Sequence, residues 1–145
     1  MKCFDNSKVV RRRINLRNMR EDDVHFYVYQ FLDIDEHERK QKERELRRNI
    51  SKKSFCWTLA IETKSGDIVG IVCVKETAPL CALVTVEFPN NGLLTLTYGE
   101  EAIDQFLKIC RENRSFYEVE LEEGNPIIER YKRKRSIRGK IIKIA

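Results

Sequence analysis

From Phe55 to Phe88 the apolar residues fall in short strand-like runs, whereas from Ala102 to Cys110 they recur at helical spacing. A chain that changes period in this way sets a sheet against helices. Phe55 to Glu62 is rich in aromatic and branched residues, Lys64-Ser65-Gly66-Asp67 is turn chemistry, and Ile68 to Lys75 is a second apolar run, which together make a hairpin. A looser connection through Ala78 and Pro79 leads to Ala82 to Phe88, where Val84, Val86 and Phe88 share one face and Thr85 and Glu87 the other. Three consecutive antiparallel strands are expected.

Helices flank this unit. Val9 to Leu16 is a first strand candidate, and in Met19 to Leu32 the residues Val24, Tyr27, Val28 and Phe31 take helical spacing behind the acidic Glu21, Asp22 and Asp23. Asp35 to Asn49 is a charged helix with alternating signs and Leu46 as its apolar anchor, a solvated face stabilised by i,i+4 pairs. After the turn Pro89-Asn90-Asn91-Gly92, Leu93 to Tyr98 reads equally as a short strand or a ligand-binding loop. The next helix carries the stripe Ala102, Ile103, Phe106, Leu107, Ile109 and Cys110, with Glu100, Glu101 and Asp104 in its first turn. Tyr117 to Leu121 is a fifth strand, Pro126 opens a helix to about Lys134, and Lys140 to Ile144 closes the chain as a strand. The predicted order is β-α-α-β-β-β-α-β-α-β, a single α/β (α+β) domain over residues 1–145 with a mixed, mostly antiparallel sheet flanked by helices.

Composition narrows the class. With 145 residues, 41% apolar and 35% charged, there is material for one modest core. No apolar run is long enough to cross a membrane, and the charged N-terminus lacks the pattern of a secretory signal. The five cysteines are widely spaced and never form CxxC, against a disulfide framework and a structural zinc site, so a cytoplasmic protein without metal is expected, with Cys56 and Cys73 as core thiols. Eight of the 28 Lys and Arg residues, and none of the 23 acids, lie from Arg130 onward. Such an end suits an anionic partner or a solvated face. Nucleic acid is the weaker choice, because Tyr131 is the sole interleaved aromatic.

Three stretches carry a resemblance. Ile14-Asn15-Leu16-Arg17 before Glu21-Asp22-Asp23, Ile61-Glu62 through Gly66-Asp67-Ile68-Val69-Gly70-Ile71-Val72, and Tyr98-Gly99-Glu100-Glu101-Ala102-Ile103 resemble motifs of the GNAT acetyltransferase superfamily, nearest its ribosomal-protein alanine acetyltransferase-like branch. A closing stretch from Asn125 to Ile137 is similar to the family's last motif at Asn125 and Lys134. Where that family has "R/QxxGxG", this chain has Leu94 and Thr97 and keeps Gly99.

The resemblance implies an N-acetyltransferase that moves an acetyl group from acetyl-CoA to a primary amine of a protein or small molecule. The alternative is a scaffold without catalysis that serves as an interaction module. It implies that Thr97, Tyr98, Gly99 and Glu100 meet the diphosphate of coenzyme A at a helix start, where bare N–H groups and a missing side chain suit a phosphate. Bulk at Gly99 would then block the cofactor and spare the fold. It further implies that Val86, Glu87 and Phe88 offer backbone groups to the pantetheine arm at a splay between the fourth and fifth strands. Glu87 is the implied base and Tyr131 the implied acid; the plain alternatives are a polar strand residue and a packed tyrosine with a satisfied hydroxyl. Asn125 either bonds the pantetheine or caps the last helix, and Lys134 with Arg135 either meets the 3′-phosphate or is solvated. The acceptor pocket is expected between the N-terminal helices and the loop around Thr77 to Leu80, with a homodimer left open.

Overall fold

The computed structural model describes residues 13–50, 56–90 and 92–144. Its elements are β1 (Ile14–Asn18), α1 (Glu21–Val28), α2 (Glu36–Ile50), β2 (Cys56–Thr63), β3 (Ile68–Ala78), β4 (Cys81–Glu87), α3 (Leu93–Asn113), β5 (Glu118–Leu121), α4 (Pro126–Lys134) and β6 (Ile141–Lys143). The order is the predicted one. Of the first strand candidate, Val9 to Arg12 lies outside the described residues, as do Cys3, Phe55 and Asn91.

One six-stranded sheet runs β1-β2-β3-β4-β5-β6, antiparallel throughout except for the parallel pair β4–β5, which α3 connects. Period-two alternation sends Leu59, Ile61, Val72, Val74, Val84 and Val86 to the face covered by α3 and α4, and Ala60 and Ile71 to the face covered by α1 and α2. The first face holds the larger core, with Ile103, Phe106 and Leu107 of α3 and Ile127, Ile128 and Tyr131 of α4. Burial of each large apolar side chain there stabilises the fold by about 1.5–3 kcal/mol. On the second face α1 contributes Val24, Tyr27 and Val28, while α2 contributes Leu46 as its one fully buried residue.

Polar contacts fix the sheet's first edge. Gln105 of α3 accepts from Leu16 N–H at 3.2 Å and donates to Ile14 C=O at 2.8 Å, so the outer backbone of β1 is occupied by a side chain. Arg17 of β1 grips Asp23 of α1 through both Nη atoms, at 2.7 and 3.0 Å, and Glu62 of β2 through Nε at 2.7 Å. The Leu-Arg strand and acidic helix start noted in the sequence are therefore two halves of one clamp.

Three expectations need correction. Leu93 to Tyr98 is neither strand nor loop: Gly92 N–H donates to Thr95 Oγ1 (3.2 Å), Thr95 N–H to Gly92 C=O (3.1 Å), and leucines propagate the helix from Leu93. β3 continues to Ala78, and the join to β4 is a tight turn at Pro79 and Leu80, with Leu80 at φ +64°. Cys56 and Cys73 are half-buried, and Cys110 is the fully buried thiol among the described residues.

The Arg17 guanidinium holds the Asp23 carboxyl below its ordinary value of 3.8. A depressed folded value adds stability that is present above the ordinary value and lost as pH falls below it. Asp23→Asn should lower the melting temperature near neutral pH, and its deficit against the parent should shrink as thermal scans are taken to pH values under 3.8.

Candidate active site

β4 is paired with β3 along its whole length, but with β5 only from Cys81↔Glu118 to Val84↔Leu121. One further bond, Glu122 N–H to Val84 C=O at 3.1 Å, closes that pairing. Beyond it β5 turns away through Gly124, at φ +82°, into α4. The expected splay is therefore present. Because backbone groups alternate sides along a strand, Val84 and Val86 turn theirs toward β5 and Thr85 and Glu87 toward β3. Asn125 bridges the gap, donating from Nδ2 to Val86 C=O at 2.9 Å.

The divergence opens a cleft of about 430 Å³ lined by Val86, Glu87, Phe88, Gly92, Thr95, Leu96, Asn125, Pro126 and Ile127. Two helices begin at its rim, and they differ. At α4, Asn125 Oδ1 accepts from Ile127 N–H (3.0 Å) and Ile128 N–H (3.4 Å), and Pro126 has no N–H to offer. At α3 the cap satisfies Gly92 and Thr95, leaving the N–H groups of Leu93 and Leu94 without an acceptor among the described residues. Gly92, Thr95 and Leu96 line the cleft, so the positive end of a 21-residue helix lies at its rim.

Glu87 stands where the cleft meets the opposite face of the sheet. Its Oε1 accepts from the Tyr27 hydroxyl at 2.6 Å and its Oε2 from Lys42 Nζ at 2.8 Å. Burial, and after it the Glu87 charge, pushes the Tyr27 phenol well above its ordinary value, so it stays protonated and donates. Cys73 lies nearby on β3, its thiol pushed up to about 11 by burial and Glu87, which keeps it protonated and poorly nucleophilic.

Of the residues proposed from sequence, the cleft gathers Val86, Glu87, Phe88 and Asn125. It does not gather Thr97, Tyr98 or Glu100. These lie inside α3, past its first turn, where the helix itself occupies the backbone N–H groups. Gly99 faces protein: a Cβ there would overlap Ile127 Cγ2, so this glycine lets α3 approach α4. Glu100 and Asp104 are likewise not first-turn residues but ion-pair α3 to α4, Glu100 with Lys134 (3.2 Å) and Arg130 (3.9 Å), Asp104 with Arg135. Tyr131 donates to Asp104 Oδ1 at 2.7 Å beneath the Arg135 guanidinium, in that same seam, and burial raises its phenol. Part of the basic end is thereby committed to holding α4 in place.

The loop around Thr77 to Leu80 sits at the far end of β4, about 20 Å along the strand from the cleft, and does not border it. Tyr27, Phe31 and Lys42 were missed by sequence reasoning; the one signal was a polar-tipped tyrosine inside the apolar stripe of α1. A second groove, of about 480 Å³, lies beside Asp23, Phe26 and the β2–β3 turn; the helix start at its rim, that of α1, is acidic and has its Arg20 N–H taken by the Asp23 carboxylate. Among the described residues no group of His, Cys, Asp and Glu converges as a metal site, and no helix is long and apolar enough to cross a membrane.

The fold is thus an open mixed sheet, split beside β4 and flanked by two pairs of helices. No protein-family profile matches the chain, and no curated protein matches it in sequence. Solved structures do match. An acetyltransferase of the GNAT family from Bacillus anthracis aligns with TM-score 0.66 at 14% identity, over 85% of this chain and 78% of that one. The aminoglycoside acetyltransferase AAC(6')-Ib in complex with coenzyme A aligns with TM-score 0.65 at 12% identity, over 83% and 82%. Spermidine N-acetyltransferase from Vibrio cholerae in complex with CoA and spermine aligns with TM-score 0.60 at 12% identity, over 84% and 79%. This chain has the GNAT acetyltransferase fold.

Gly99→Ala should lower the melting temperature by overpacking, at a cost of about 1–3 kcal/mol. Its cost should be smaller in an Ile127→Ala background, which lacks the Cγ2 methyl that the new Cβ overlaps, as a double-mutant cycle in urea titrations reads.

Proposed function

We propose that this chain is an N-acetyltransferase that takes acetyl-CoA in the β4–β5 cleft and an amine from the side of α1 and α2. The observation that carries this is the loss of the β5 partner beyond Val84, which leaves the Val86 backbone beside the cleft with only the Asn125 amide on its carbonyl, next to Gly92 and Thr95 at the start of α3 in the same lining. The neighbours solved with coenzyme A support it by sharing the fold.

In this assignment the N–H groups of Leu93 and Leu94 receive the diphosphate, one and a half turns earlier in the helix than Gly99. The N–H of Val86, whose carbonyl already accepts from Asn125, donates to an amide carbonyl of the pantetheine arm. Glu87 accepts the proton of the attacking amine, directly or through water, as the C–N bond forms and the C–S bond breaks. A thiolate, with an ordinary pKa of about 8.5, departs without a strong acid, so Tyr131 is free to serve as the α3–α4 tie. The alternative, a scaffold that binds a partner and not acetyl-CoA, draws support from Leu94 and Thr97, which stand in a helix where the superfamily motif has a glycine loop.

Leu94 is exposed in the first turn of α3, so charge there acts on ligand and helix with opposite signs. Leu94→Glu should stabilise the fold slightly, by about 0.3–1 kcal/mol through the helix dipole, yet weaken acetyl-CoA binding. Leu94→Arg should tighten it. Calorimetric titration of the three proteins, with amine-dependent release of free thiol as the activity assay, checks both. Equal affinities across the series, or no heat with the parent protein, would favour the non-catalytic scaffold.

A further inference from the structure

The ammonium of Lys42 is held in a place that looks made for an incoming amine. Its Nζ lies 2.8 Å from Glu87 Oε2 and 4.7 Å from the centroid of the Phe31 ring, a carboxylate on one side and an aromatic face on another. The walls are fixed. Tyr27 is fully buried, holds the other carboxylate oxygen, and meets the Phe31 ring edge-on at 5.4 Å, while Phe31 C=O accepts from Arg39. The occupant is not fixed in the same way. Lys42 rides on α2, one turn before Leu46, that helix's one fully buried side chain, and the Lys42–Glu87 pair is partly solvent-exposed at 23% and 36%. Solvent on one flank of this half-buried pair screens its attraction and gives a competing cation a way in. Glu87 also lines the cleft assigned to acetyl-CoA, so the ammonium position borders the reaction site.

We propose that Glu87 and Phe31 form a subsite for a primary ammonium group, and that Lys42 fills it in the resting molecule as an internal competitor that the acceptor amine displaces. In naming the ligand an acceptor, this rests on the acetyl-transfer assignment. The subsite selects a cation with an unbranched stem, the chemistry of an alkylamine or a lysine side chain. Occupancy by Lys42 lowers the apparent affinity of that ligand by the fraction of time the subsite stands open.

The test uses n-butylammonium as probe, followed by NMR shifts of the isotope-labelled full chain. Lys42→Met keeps the stem and removes the charge. It should bind the probe about tenfold more tightly than the parent, as expected where an internal competitor holds the site nine-tenths of the time. Shifts should centre on Phe31 and Glu87, and the gain should vanish in Lys42→Met/Glu87→Gln. Lys42→Gln replaces the methionine variant if circular dichroism shows lost structure. Equal affinity in parent and variant, or shifts confined to other surfaces, would overturn the inference. Acetyl-CoA titrated into the same proteins separates the two claims. Acetyl-CoA binding with no gain in probe affinity sinks the Lys42 inference alone. A probe gain centred on Glu87 without acetyl-CoA binding upholds the subsite and removes the acetyl-transfer assignment.

Discussion

Everything at the candidate site follows from β4 losing one of its two partners partway along. Up to Val84 it is an interior strand with both backbone edges occupied; from Val86 on, only the edge toward β3 is. An unpaired backbone edge inside a fold must be satisfied by something. Here Asn125 supplies one donor from its side chain, and in doing so ties the start of α4 to the strand it flanks. The parallel crossover through α3 then brings that helix's N-terminus to the same opening, because a helix that returns a chain to a parallel neighbour begins near the end of the strand it leaves.

The two faces of the sheet are built differently, and the difference places the chemistry. The α3–α4 face is apolar and tightly joined, with Gly99 removing bulk at the helix contact and Glu100, Asp104 and Tyr131 spanning the seam. The α1–α2 face has a smaller core and a helix, α2, held by few buried atoms. Lys42, carried by α2, therefore reaches the fixed Tyr27–Glu87 pair from the least committed part of the structure. Acid–base groups there move at lower cost than groups in the α3–α4 seam.

The order of elements was legible because each has a local cause. The acidic start of α1, the turn around Gly66, and Asn125-Pro126 at the start of α4 all lie within a few residues of what they determine. The start of α3 was misplaced because Leu93 to Thr97 suits helix or strand, and the deciding contact is the Thr95 hydroxyl on Gly92 and Asn90. Gly99 looked like a phosphate glycine since its neighbours resemble a motif; its true neighbour, Ile127, is distant in sequence. Tyr131 and Lys134 were assigned toward a ligand because their acidic partners, on α3, are about thirty residues away. Val86, Glu87 and Phe88 are named from the family resemblance, on a strand whose alternation is visible in sequence, and they line the cleft, but the pairing of Glu87 with Lys42 spans 45 residues and leaves no local trace.

The decisive measurement is the backbone NMR spectrum of the labelled chain as acetyl-CoA is added. If the split strand and the start of α3 hold that molecule, the amides of Val86, Leu93 and Leu94 shift together and gain protection from hydrogen exchange, while Gly99 follows weakly. Saturating acetyl-CoA that leaves those three amides unmoved, or that moves only the basic stretch from Lys132 to Lys143, contradicts the account.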